Sequence, residues 1–118
     1  MNLHIKYNKL KPSYGEKGDI KWRNNAGQLH RLNGPTIENE DGSCYYFLNG
    51  NRHREDGPAC IDRNGSIEYW QNGLIHRIGG PAIIHIDPNI ENYYVNGECV
   101  SKEYHDLLYS IMKLKGLL

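Results

Sequence analysis

A chain of 118 residues with 14 basic and 14 acidic side chains is long enough for one domain, and its zero net charge argues against a general nucleic-acid binder. No apolar run approaches the ~20 residues that span a bilayer, and Met1 to Lys11 alternate polar and apolar residues without a signal-type core. A cytoplasmic protein without membrane association is expected. The three cysteines Cys44, Cys60 and Cys99 are odd in number and lack C-x-x-C spacing, which speaks against a disulfide framework or a cysteine zinc site. They read as reduced packing residues.

Residues 1–17 are expected as an N-terminal edge segment. From residue 18 the chain is periodic. His30-Arg31, His53-Arg54 and His76-Arg77 recur every 23 residues, and so do Gly34-Pro35, Gly57-Pro58 and Gly80-Pro81. Gly27, Gly50 and Gly73 keep the period, and Gly97 follows after 24. A fixed period of this length is the signature of a repeat architecture. The consensus is Y-aromatic-x-N-G-x-x-H-R-x-x-G-P-A, followed by a second turn at Asp41-Gly42 or Asn64-Gly65.

Asn-Gly after a short aromatic run is the strongest two-residue hairpin signal. The central unit therefore reads as strands Tyr45–Leu48, Asn51–Arg54, Ala59–Asp62 and Ser66–Trp70, with a Gly-Pro corner between the second and third. The fold class expected is all-β: an antiparallel meander of stacked two-strand repeats over residues 18–100. At Ser101 the period changes to about 3.6, and Tyr104, Leu107, Leu108, Ile111 and Met112 form one stripe. Residues 101–118 are predicted to be an amphipathic capping helix, with Ser101 as N-cap and Gly116 as its stop. Such a cap would cover the open end of the array.

The N-G-x-x-H-R-x-x-G-P-A unit resembles MORN-type repeats, and more closely the variant of such repeats in proteins of phages, giant viruses and some bacteria. The resemblance covers residues 18–100 and implies stacked β-hairpins that serve as interaction surfaces. It also suggests a small inhibitor of a host defence factor.

The histidines His30, His53 and His76 invite a metal reading. Equivalent positions two strands apart lie about 9.6 Å from one another, too far to share a zinc held at ~2.0–2.1 Å. No metal and no cofactor are expected. Each histidine is instead expected to fix the Gly-Pro corner of its own unit, at Gly34-Pro35, Gly57-Pro58 or Gly80-Pro81. Arg31, Arg54 and Arg77 would point to the opposite side as a basic ladder, either recognising anions or paired with Glu38, Glu55 and Asp56.

Tyr46, Tyr69 and Tyr93 align on one face, and Phe47, Trp70 and Tyr94 on the other. An exposed row of this composition is a typical partner surface. The binding candidates are Trp70, Arg54, Tyr69, Phe47, Tyr94, Arg31 and Arg77. No nucleophile or phosphate-loop motif appears, and the distinctive residues come in triplicate where an active site needs one asymmetric cluster. The function expected is a non-enzymatic interaction protein with a protein partner. Oligomers through the aromatic face or a sheet edge are a further expectation. The alternative is a small anionic ligand of nucleotide type held by arginine and aromatic rows.

Overall fold

The computed structural model describes residues 10–118, and over these the chain forms thirteen short strands and one helix. Of the expected N-terminal segment, residues 1–9 lie outside the described residues. β1 (Lys11–Tyr14) pairs with β2 (Ile20–Arg23) at one end of a nine-stranded antiparallel sheet. The sheet continues through β3 (Ile37–Glu38), β4 (Cys44–Tyr45), β7 (Cys60–Ile61), β8 (Ile67–Glu68), β11 (Ile83–Ile86), β12 (Asn89–Val95) and β13 (Glu98–Val100). Between these strands the chain throws out hairpins, β5 (Phe47–Leu48) with β6 (Asn51–Arg52) and β9 (Trp70–Gln71) with β10 (Leu74–Ile75). The protein is mostly β and an antiparallel meander, as its period predicts.

The strands differ from the predicted ones in one respect. Tyr45–Leu48 is not a single strand, because its ladder partner changes at Tyr46. Tyr45 pairs with Cys60 in the long sheet, whereas Phe47 pairs with Arg52 in the hairpin. At the break, the Tyr46 N–H donates to the Ala59 carbonyl while its own carbonyl accepts from His53. Tyr69 does the same with Ala82 and His76. Ser66–Trp70 is therefore also split, and the predicted Asn51–Arg54 and Ala59–Asp62 shorten to β6 and β7.

The hairpins form a second row joined from unit to unit. Gly50 donates to Leu29, Gly73 to Arg52 and Gly97 to Ile75. Arg31, Arg54 and Arg77 donate their backbone N–H to Phe47, Trp70 and Tyr94. Each hairpin turns at an asparagine in the left-handed region, Asn49, Asn72 and Asn96 with φ of 49, 51 and 48°. Asparagine tolerates that region, and the glycine that follows it occupies it at no steric cost.

The molecule is a slab of 45 × 39 × 18 Å, so its interior is thin and made of small residues. Thr36, Ala59 and Ala82, each following a Gly-Pro pair, are fully buried. Thr36 satisfies its buried hydroxyl by donating to the Phe47 carbonyl and accepting from the Phe47 N–H. Ser43 and Ser66 repeat the pattern at the second turn, where Asp41 and Asn64 accept their backbone N–H groups.

Helix α1 (Lys102–Leu114) begins at Ser101, whose hydroxyl accepts from the Tyr104 N–H at 3.1 Å. It ends before Gly116, which has φ of 70°. It packs on β12, and His105 is its buried residue. The predicted stripe divides. Leu108 and Met112 are half-buried, but Tyr104, Leu107 and Ile111 are exposed. The sheet meets a neighbouring face of the helix, centred on His105.

Candidate interaction surface

The repeated arginines take the role expected of the histidines, and the histidines take another. The histidines do not bond the Gly-Pro corner of their own unit. Nδ1 of His30, His53 and His76 accepts the backbone N–H of Asn49, Asn72 and Asn96, at 2.9, 3.0 and 2.9 Å. Each histidine thus locks the hairpin turn of the following unit. A backbone N–H can only donate, so Nδ1 carries no proton in all three rings.

The arginines take the corner instead. Nη1 of Arg31, Arg54 and Arg77 donates to the carbonyls of Pro35, Pro58 and Pro81 at 3.1, 3.0 and 3.1 Å. Each guanidinium also lies over an aromatic ring of its own unit. Arg31 covers Trp22 at 4.4 Å, Arg54 covers Tyr46 at 4.0 Å and Arg77 covers Tyr69 at 3.9 Å. The expected basic ladder is therefore a set of internal staples. Arg31 and Arg54 add ion pairs with Glu38 and Asp56 at 3.9 and 3.3 Å, and Glu55 pairs with His53 instead.

The staple explains the glycine of each Gly-Pro pair. A Cβ on Gly57 would come within 3.0 Å of the Arg54 guanidinium carbon, and Gly34 and Gly80 meet Arg31 and Arg77 at 3.1 and 3.0 Å. A left-handed backbone is not the reason at Gly57, since only Gly34 of the three has a positive φ, at 145°. Gly57→Val is expected to destabilise the fold by about 1–3 kcal/mol, because the guanidinium must leave the Tyr46 ring to make room. Chemical denaturation compared with wild type measures this.

Two residues complete the aromatic row in ways the period hides. Trp22 stands where Tyr46 and Tyr69 stand in later units. Its N–H donates to Thr36 and its carbonyl accepts from His30, as theirs do with Ala59 and His53 and with Ala82 and His76. The longer first turn displaces it by one position. At the other end no arginine covers Tyr93 among the described residues, and the ring of His105 from α1 lies against it, tilted by 49° with centroids 4.8 Å apart. The helix caps the array by supplying the fourth lid.

The opposite face carries Phe47, Trp70 and Tyr94, all half-buried. Cross-strand pairing sets Arg52 beside Phe47, Ile75 beside Trp70 and Cys99 beside Tyr94. Arg52 occurs in one unit only, at a position held by leucine, isoleucine or cysteine in the others, and the repeat alone did not single it out. Its guanidinium lies 5.1 Å from the Trp70 ring, 5.9 Å from Phe47 and 6.0 Å from Tyr45. Trp70 is oriented by its indole N–H, which donates to Glu68 at 3.0 Å. Unlike Arg31, Arg54 and Arg77, Arg52 donates to no carbonyl or carboxylate among the described residues. Burial pushes the thiol of nearby Cys60 up to about 12, and it also raises that of Cys44. Both are poor nucleophiles at neutral pH.

Burial lowers the pKa of His76 from its ordinary 6.5. The unfolded chain then takes up a proton near 6.5 that the folded chain resists, so stability is full above that pH and declines as pH falls below it. Protonation of Nδ1 would also break its bond from Asn96. The melting temperature is expected to drop on acidification below 6.5, and less steeply in His76→Gln. Melts across the pH range test this.

Between successive H-R-x-x-G-P loops lie open clefts. One of about 630 Å³ is lined by Arg31, Tyr46, His53, Arg54, Glu55 and Asp56 among others. Among the described residues no group of three histidine, cysteine or acidic side chains is placed to hold a metal, and no helix is long and apolar enough to cross a membrane. Comparison with protein-family models, curated proteins and solved structures finds no match to this chain.

Proposed function

We propose that the protein is a non-enzymatic interaction module that docks a protein partner on the row Phe47, Arg52, Trp70, Ile75 and Tyr94. The observation that carries this reading is the state of Arg52. The repeated arginines are consumed by internal staples, whereas the Arg52 guanidinium, amid aromatic rings, donates to no acceptor among the described residues. A half-buried guanidinium with unspent donors suits a partner segment that presents a carboxylate flanked by apolar side chains. The repeated histidines His30, His53 and His76 are tied up between units, and burial raises the thiols of Cys44 and Cys60, which supports a non-catalytic role for the repeat. Within this reading, the resemblance to phage and giant-virus repeats favours a partner from a host defence complex. Affinity capture from a host lysate, with wild type and Arg52→Ala as parallel baits, tests it. A specific partner should be retained by the first and lost from the second. Equal capture by both would remove the row from consideration.

The cleft between the first two loops favours a second reading, a small anionic ligand held by arginine and tyrosine from adjacent units. Glu55 and Asp56 line the same cleft, and the arginines there already serve the Pro35 and Pro58 carbonyls. An anion would have to displace these contacts, so the protein-partner reading stands first. Calorimetric titration with nucleotides separates the two.

A further inference from the structure

The outer face of α1 carries an apolar stripe that the fold leaves uncovered. Tyr104, Leu107, Ile111 and Leu114 are 55, 61, 42 and 88 % exposed. Their spacing of three, four and three residues is that of a helix-pairing seam. The face packed on β12 is a different one, marked by His105, Leu108 and Met112. A monomer gains nothing from so long an exposed seam, and patches of this kind mark association sites.

We propose that α1 pairs antiparallel with α1 of a second copy, making the protein a two-fold dimer. Three observations select this occupant. The seam is self-complementary. Tyr104 and Leu114 stand five residues either side of Tyr109, and Leu107 and Ile111 stand two either side. An antiparallel copy therefore sets Tyr104 against Leu114 and Leu107 against Ile111, large residue against large residue in both directions, as an isologous interface requires. The charges are also segregated. In the first turn the Lys102 ammonium pairs with Asp106 at 2.8 Å, whereas Glu103 acts on Lys102 only through longer-range attraction and forms no salt bridge among the described residues. In the last turn and just beyond it, Lys113 and Lys115 are likewise unpaired. Antiparallel pairing brings each acidic end near a basic one and sets the helix dipoles side by side in opposite directions, whereas parallel pairing sets lysines beside lysines. Finally, the positions flanking the centre of the seam, Leu108 and Ser110, are uncharged, so no carboxylate or ammonium is buried there. This inference is independent of the reading of the Arg52 row, which lies on the hairpins.

Sedimentation equilibrium on the full chain across the micromolar range tests it, with circular dichroism to monitor folding. Wild type should behave as a reversible dimer. Ile111→Glu should be monomeric with an unchanged spectrum. Lys113→Glu with Lys115→Glu should weaken the dimer about tenfold, and adding Glu103→Lys should recover most of that loss. A wild type that stays monomeric at every concentration would overturn the proposal. So would a dimer that Ile111→Glu leaves intact, or a charge reversal that Glu103→Lys does not rescue. Binding of the wild-type monomer to anionic vesicles through Leu107 and Ile111 would assign the stripe to a lipid surface instead.

Discussion

Arg54→Ala should lower stability by about 3 kcal/mol and the melting temperature by on the order of 10 °C. Arg54 makes three contacts with one guanidinium. It stacks on Tyr46 at 4.0 Å, covers Gly57 and donates to the Pro58 carbonyl at 3.0 Å. Its side chain is only 24 % exposed, so the stacking and the hydrogen bond operate away from bulk water, where both are stronger. Truncation leaves the carbonyl short of a donor and opens a void between ring and glycine. The ion pair with Asp56, whose side chain is 88 % exposed, adds little, since such pairs contribute ~1 kcal/mol at most. Asp56→Ala should therefore be nearly neutral. Arg54→Lys should recover only part of the loss, because an ammonium cannot present a planar fork to ring, glycine and carbonyl together. Denaturant titrations of these variants, with Tyr46→Ala to close a double-mutant cycle, measure the coupling. A loss below ~1 kcal/mol would show that the staple is ornamental and would return Arg54 to the list of interface anchors.

Arg52→Ala should have the converse profile, with partner affinity reduced by about 2 kcal/mol, some 30-fold, and stability by no more than ~1 kcal/mol. Its contacts with Tyr45, Phe47 and Trp70, at 5.1 to 6.0 Å, are looser than those of the staples. Removing them costs the fold little. In a complex, the same guanidinium would be desolvated with an acceptor in place, where a charge-assisted bond is strong. Trp70→Ala should reduce both quantities, because the indole is half-buried and bound to Glu68 as well as facing the row. Thermal melts and binding measurements on the two variants separate the roles. If Arg52→Ala melts far below wild type and binds normally, the row is a structural seam and the partner engages another surface.

The contrast between these arginines marks where sequence reading ends. The 23-residue period, the Asn-Gly turns, the Gly-Pro corners and the change to helical spacing at Ser101 are local or repetitive features. Each is enforced by the residue's own backbone preferences: asparagine and glycine at positive φ, proline without a donor, serine as an N-cap. They determined an antiparallel β array followed by a helix, expected over 101–118 and found at Lys102–Leu114, and the alternation of strand residues put Tyr46, Tyr69 and Tyr93 in one row and Phe47, Trp70 and Tyr94 in another. The choice of partner for each side chain was decided by tertiary structure alone. His53 reaches Asn72 of the next unit and Arg54 reaches Pro58 of its own, because the chain breaks at Tyr46 and Tyr69 and turns each hairpin against its neighbour. That break depends on contacts such as Tyr46 with Ala59, made across a corner whose course the pattern does not encode. For the same reason Trp22 and His105 could not be placed in the aromatic row from spacing. One is shifted by a longer turn, and the other arrives from a helix outside the period. Arg52 stood out only when three rings from two strand layers closed around it. A period of two tells which residues share a side, but which side is covered, and by what, follows from how the layers meet.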